Sequence, residues 1–296
     1  MGNILLIGGS GQVGFELKRA LAPVGRLMAP DRSALDLTNA DSIADHVQSA
    51  RPDIIVNAAG FTIVDEAEAQ PALAMQLNAT ASGVIAECAE KAGAVLIHFS
   101  TTFVFDGTKH SPYTEEDLPN PVNAYGRSKL AGERAVMAAC RHHLILRANW
   151  VYSARRTNFA LAMLKLAREK PELRIVDDQI GSPTWARDYA DTTAALFADS
   201  RQLRDHPGIY HVSAGSHCSR LQWAEKIISS AKASSRVHDG WATLRPTTTA
   251  LYPHPAPRPL YTVTDNRKIA RTFGISMPAW EDRVDTFLQS LKQDYA

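Results

Sequence analysis

Cysteine is scarce: Cys88, Cys140 and Cys218 are the only three in 296 residues. An odd, widely scattered set supplies neither a disulfide framework nor a zinc-ligand spacing, and it fits a reducing compartment. Long apolar runs are also missing. The stretch Met1–Ile7 runs straight into Gly8 and Gly9, whereas a signal peptide needs a basic start and a longer apolar core, and a membrane span about 20 apolar residues. The expectation is a cytoplasmic protein with no membrane partner. Nor is there an excess of one charge: 32 Lys+Arg against 31 Asp+Glu leave +1, too weak a field to gather nucleic acid. What is present is an apolar content of 45% in a chain long enough to bury a core unaided.

The first half alternates between two periods. Asn3–Ile7, Arg26–Ala29, Asp53–Val56, Ala94–Phe99 and His143–Leu146 are short apolar runs that read as buried strands. Between them, Gln12–Leu21, Ser42–Ser49 (with Asp41 as a candidate cap), Pro71–Lys91 and Asn123–Cys140 carry helical spacing. Strands alternating with helices mean βαβ units and a parallel sheet covered on both faces, an α/β doubly wound fold of Rossmann type. After about residue 150 the rhythm loosens. Phe159–Arg168, Tyr189–Phe197, Leu221–Ala231, Asn266–Phe273 and Trp280–Lys292 look helical and Ile209–Val212 looks like a strand, while five prolines exclude regular structure from Arg245–Pro259. The expected division is a dinucleotide-binding domain over 1–150 and a mainly substrate-binding lobe over 151–296, with some segments returning to the sheet.

Gly8, Gly11 and Gly14 stand three apart between the first strand and the first helix. Glycines there permit a tight turn and close approach to a pyrophosphate, which the first-turn N–H groups then face. Gly8, Gly11, Gln12 and Val13 are therefore cofactor-contact candidates. An acid about 20 residues on would hold the adenosine ribose; Asp31 stands there, with Arg32 beside it able to meet a 2′-phosphate, so NADPH or NADH remains open. Asp36 and Leu37 are candidates for the adenine side.

Tyr125 and Lys129 stand four apart, on one face of a helix. A ketone that receives hydride needs a proton, and a phenol can supply it if a cation brings its pKa down toward neutrality; Lys129 is the expected cation and can also hydrogen-bond the nicotinamide ribose, so Tyr125 and Lys129 are cofactor-contact candidates as well. The helix follows a strand ending in Ser100-Thr101-Thr102. Ligands bind at carboxyl ends of parallel strands, so Thr101 or Ser100 is expected to donate to the carbonyl oxygen.

These residues resemble the extended short-chain dehydrogenase/reductase superfamily. Within it, finer motifs are similar to the dTDP-4-dehydrorhamnose reductase family: Asn57-Ala58-Ala59, Thr62 with Val64-Asp65-Glu66, Leu77-Asn78-Ala79, Tyr125 to Glu133, Trp150-Val151-Tyr152, Asp178-Gln179, Pro183-Thr184 and Arg258-Pro259. The resemblance implies a catalytic triad of Thr101, Tyr125 and Lys129, and hydride delivery to C4 of a 6-deoxy-4-ketohexose carried on dTDP. It implies cofactor contacts at Ala58, Ala59 and Thr62, and substrate contacts at Val64, Phe103, Trp150, Gln179 and Arg258, the last beside the diphosphate. Two departures stand out. Phe103 replaces a family phenol. Arg187 stands where some members carry an acid that, with a residue matching Glu16, binds a bridging magnesium; an Arg cannot ligate a cation, which favours a monomer or a plain homodimer without metal. A related epimerase or dehydratase is the nearest rival, but Thr102 occupies the place of a dehydratase's acid. A non-catalytic regulatory subunit, like that of methionine adenosyltransferase, would carry a damaged triad, and this one is intact.

Overall fold

The computed structural model describes residues 2–235 and 240–294. Five strands of the first half, β1 (Asn3–Ile7), β2 (Arg26–Met28), β3 (Ile54–Asn57), β4 (Val95–Thr101) and β5 (His143–Ala148), form one parallel sheet with a sixth strand, Gly208–His211, from the second half. Across the sheet the order is Gly208–His211, β5, β4, β3, β1, β2. The direction of winding reverses between β1 and β3, and a crevice opens there at the carboxyl ends.

Both faces are apolar because both are covered. One buries Ile4, Leu6, Val56, Ile97 and Leu144 beneath the helices Gln12–Leu21 and Ala186–Ala195. The other buries Leu5, Ile7, Ile55, Leu96 and Ile145 beneath Ala40–Ala50, Ala81–Ala92 and Ala124–Ala139. This is the doubly wound Rossmann-type α/β fold. A separate apolar cluster in the second half gathers Tyr152, Trp185, Trp223, Trp280 and Phe287.

Three local expectations are corrected. Asn39 rather than Asp41 caps the helix Ala40–Ala50: its Oδ1 accepts from the N–H groups of Asp41 and Ser42, at 2.9 and 3.3 Å. The run from Pro71 is interrupted, because Pro71–Met75 and Ala81–Ala92 are joined by a π-helical turn, Gln76–Thr80. At that turn the Ala124–Ala139 helix comes so close that a Cβ on Gly132 would lie 2.1 Å from the Asn78 carbonyl oxygen. Finally, Thr243–Thr247 is a strand despite Pro246, paired parallel with Glu172–Val176, a strand that the sequence reading did not anticipate. A two-stranded ribbon consists only of edges, where a missing N–H is tolerated. No described helix is long and apolar enough to cross a membrane.

Candidate active site

The glycine loop is built by close backbone contact. Gly8 adopts φ +85°, and a Cβ there would lie 2.5 Å from the Ala59 nitrogen. A Cβ on Gly14 would lie 2.0 Å from the Gly8 carbonyl oxygen. The Gly11 N–H donates to that same oxygen at 3.0 Å. The helix from Gln12 has no side-chain cap and no acid in its first turn, so its leading N–H groups remain available to an anion. These features fit a pyrophosphate. Val13 packs on the core. Gln12 Oε1 accepts from Ser153 Oγ at 3.0 Å and Asn158 Nδ2 at 3.1 Å, tying the loop to the second half. The Ala58 N–H bonds Ile7 O, and the Ala59 N–H bonds Asn57 Oδ1.

Asp31 and Asp36 both brace their own turns. Asp31 Oδ1 accepts from Ser33 Oγ and from the N–H groups of Ser33 and Ala34, and these bonds hold its carboxyl below the usual range. Asp31 and Arg32, both exposed, follow each other in the loop after β2. Asp36 Oδ1 accepts from the Thr38 hydroxyl and N–H. Leu37 packs on the core, and Thr62 is exposed in the loop after β3.

The Ala124–Ala139 helix is started by two acceptors. Asn123 Oδ1 takes the Gly126 N–H and Glu68 Oε2 takes the Ala124 N–H, both at 2.8 Å. Buried Asn78 holds the facing loop, accepting from Phe61 N–H at 2.8 Å and donating to Phe61 O and Ser128 Oγ. Tyr125 and Thr101 are thereby brought together at the end of β4, where the Thr101 side chain lies near enough to the phenol to bear on its ionisation. Phe103 sits edge-on to the Tyr125 ring, 5.9 Å between centroids.

Here the electrostatics depart from expectation. Burial pushes the Tyr125 phenol up to about 12, with Thr101 acting against the shift. Lys129 does not draw it down, because its ammonium is held elsewhere: Nζ donates to Phe99 O at 2.6 Å and lies 3.5 Å from His98 Nε2. Burial lowers Lys129 itself to about 8. His98 is fully buried, its ring pushed well below its ordinary pKa by burial and by Lys129. Its Nδ1 faces Asn57 Nδ2 at 3.2 Å across the β3–β4 register. Ser100 is also removed from the chemistry. Its hydroxyl donates to Glu133 Oε1 at 2.5 Å, and Arg147 grips the same carboxylate with two bonds of 2.8 and 2.6 Å. Of the two candidate donors to the carbonyl oxygen, Thr101 remains.

On the second-half side, Trp150 is half-buried with φ +39°, a left-handed conformation that non-glycine residues keep only where surroundings enforce it. Val64 opens the helix Val64–Ala69. Gln179 is buried, its amide donating to Thr249 Oγ1 at 3.1 Å. Arg258 pairs with Asp65 at 2.8 Å and donates to Ala256 O at 3.0 Å, so part of its fork is committed within the chain. Glu16 Oε2 is shared by Arg19 at 3.1 Å and Arg187 at 3.3 Å. Arg187 thus supplies positive charge to that carboxylate directly.

The family model described as the RmlD substrate binding domain matches residues 2–293. The dTDP-4-dehydrorhamnose reductase of Salmonella typhimurium is 41% identical over 293 residues, 98% of each chain. The chain belongs to the dTDP-4-dehydrorhamnose reductase family. That of Burkholderia thailandensis is 42% identical over 297 residues, 97% of this chain and 98% of the other. A crystal structure of the Bacillus anthracis family member in complex with NADP superposes with TM-score 0.89 at 33% identity, covering 97% of this chain and 98% of that one.

Three polar residues of the site carried no assigned role in the sequence reading. Asn78 and Glu133 appeared only inside family motifs, and His98 sat unremarked in an apolar strand. Their signal was chemical: each is a polar group at a position the periodicity assigns to the interior, and a buried polar group must find partners.

Proposed function

We propose that this chain reduces the C4 ketone of dTDP-4-dehydro-6-deoxy-L-mannose to dTDP-L-rhamnose, using NADPH or NADH. The observation that carries the reading is the approach of the Thr101 side chain to the Tyr125 phenol at the carboxyl end of β4, in a sheet whose first strand ends in a glycine loop shaped for a pyrophosphate. Residues 1–150 would hold the dinucleotide and most of 151–296 would shape the sugar-nucleotide side. A reduced nicotinamide, when bound, supplies the hydride; the loop from Gly8 to Val13, with Ala58, Ala59 and Thr62, would hold the cofactor. Asp31 Oδ2 and Arg32 together leave either ribose form admissible.

The chain's own residues manage the oxygen. Thr101 donates to the C4 oxygen as negative charge gathers there. Tyr125, its pKa raised to about 12, keeps its proton at neutral pH. Once hydride has arrived, the sugar alkoxide takes that proton from Tyr125 Oη. The raised pKa keeps the phenol protonated and ready to donate, while it narrows the driving force of the transfer. Lys129 anchors to Phe99 O and, when protonated, places a cation beside His98 under the end of β4. Against the dehydratase reading, Thr102 is fully buried and its hydroxyl has no partner.

The direct test mixes purified protein with dTDP-4-dehydro-6-deoxy-L-mannose and follows oxidation of NADPH and NADH; formation of dTDP-L-rhamnose supports the reading, and no turnover with either cofactor ends it. A pH profile tests Lys129 separately. Its folded pKa of about 8 lies below a lysine's ordinary 10.5, so the ammonium is present below about pH 8 and lost above. With that charge required, kcat/KM falls as pH rises through about 8, since this ratio reports free-enzyme groups. A profile level to pH 10 would remove Lys129 from the role.

A further inference from the structure

Arg220, the first residue of the helix Arg220–Ala233, drew no attention as sequence, yet it holds an unusual position. Its guanidinium lies 3.6 Å from the ring centroid of Trp150 and also faces Phe159 and Trp223, at 4.9 and 5.6 Å. Below, the Trp150 indole presses on Gly181, where a Cβ would come within 2.6 Å of Trp150 Cε2. The indole is thus held from two sides, by a glycine and by a cation.

That cation is uncompensated. No carboxylate lies within ion-pair distance of Arg220 among the described residues; the groups it senses are the Cys218 thiol, itself pushed toward its neutral form by burial, and Arg258, of its own sign. Burial lowers its guanidinium to about 9, with Cys218 acting against the shift and Arg258 with it, so it remains charged at neutral pH. Arg258 already has Asp65. His254 completes the group, its pKa lowered by burial and by both arginines. Two guanidinium groups from two segments of the second half, with an imidazole held neutral between them, are therefore accompanied by one carboxylate, and that one is paired with Arg258. Aromatic faces ease the desolvation of a guanidinium, but they do not neutralise it. A site with this excess is matched by a multiply charged anion, and forked guanidinium groups suit phosphate oxygens.

We propose that Arg220 is a substrate-positioning residue: its guanidinium pairs with the diphosphate of the dTDP-sugar alongside Arg258, and its stack on Trp150 fixes the indole beside the sugar. This rests on the reading of the chain as a dTDP-sugar reductase. Arg220 thereby joins recognition of the diphosphate to placement of the hexose.

The test is calorimetric titration of the full chain with thymidine, dTMP and dTDP. The wild type tightens as phosphates are added. Arg220→Met, which keeps an unbranched apolar stem against the aromatic rings, is expected to bind dTDP roughly 10- to 100-fold more weakly, with thymidine and NADPH affinities near wild type. Arg220→Lys, which keeps the charge without the fork, recovers part of the loss, and its melting temperature guards against misfolding. Equal dTDP affinity in wild type and Arg220→Met overturns the proposal. So does the same fractional loss for thymidine, dTMP and dTDP, which would mark Arg220 as a staple of the aromatic wall, and so does a wild type that binds no dTDP. Reduction of the keto sugar by the wild type is assayed in parallel. If that fails while dTDP binding still depends on Arg220, the reductase reading falls and the diphosphate site stands.

Discussion

Tyr125→Phe is expected to lower kcat by about 10²- to 10⁴-fold, the usual worth of a positioned general acid, with dTDP and NADPH affinities close to wild type. The size follows from how the hydroxyl is used. The phenol lies by the Thr101 side chain, and its ring packs edge-on against Phe103; phenylalanine keeps the ring contact and deletes the proton donor alone. The loss should therefore appear in kcat and in kcat/KM alike, the pattern of an interaction made only in the transition state. Stopped-flow measurement of NADPH oxidation with saturating keto sugar would read it directly. A variant that turns over normally would transfer the acid role to another group, and among neighbours only the Thr101 hydroxyl is placed to take it. A variant that loses cofactor binding as well would instead mean that the phenol helps to hold the nicotinamide side of the site.

The direction of the Tyr125 shift also marks where sequence reasoning reaches its limit. The spacing of Tyr125 and Lys129 on one helical face was legible, because a helix fixes which residues share a side. The partner of the ammonium was not. Lys129 is held by Phe99 O and faces His98, and that contact depends on how far the helix sits above β4, which no local pattern encodes. The strands were legible for a related reason: buried on both faces, they read as unbroken apolar runs. Glu172–Val176 escaped notice because it alternates exposed and buried positions over five residues beside a proline-bearing partner. The π-helical turn at Gln76–Thr80 leaves no signature in an alanine-rich run; its cause lies in the close crossing at Gly132. Arg220 had a faint signal: Trp223 stands three residues on, and neither helical neighbour at i+3 or i+4 is acidic, so no local carboxylate was available to satisfy it.

Arg147→Met is expected to cost the largest stability, about 3–5 kcal/mol, the range for stranding one member of a buried ion pair. Arg147 and Glu133 have side chains 1% and 0% exposed, so removal of the guanidinium leaves a carboxylate with the Ser100 hydroxyl as its remaining partner. For a chain of this size the melting temperature should fall on the order of 10 °C. The pair spans the helix Ala124–Ala139 and β5, and the Ser100 bond carries it to β4, one residue before Thr101. Loss of the guanidinium should therefore loosen the strand end that presents the Thr101 hydroxyl, and kcat should fall with stability. Glu133→Leu combined with Arg147→Met removes both charges and should recover most of the melting temperature, since an apolar pair of similar volume replaces a buried pair at little net cost. It should not recover kcat fully, because Ser100 then has no carboxylate to fix it. Calorimetric melts of the single and double variants separate these outcomes: a single variant melting within about 2 °C of wild type would mean that the strand end and the helix are held together by their apolar packing alone.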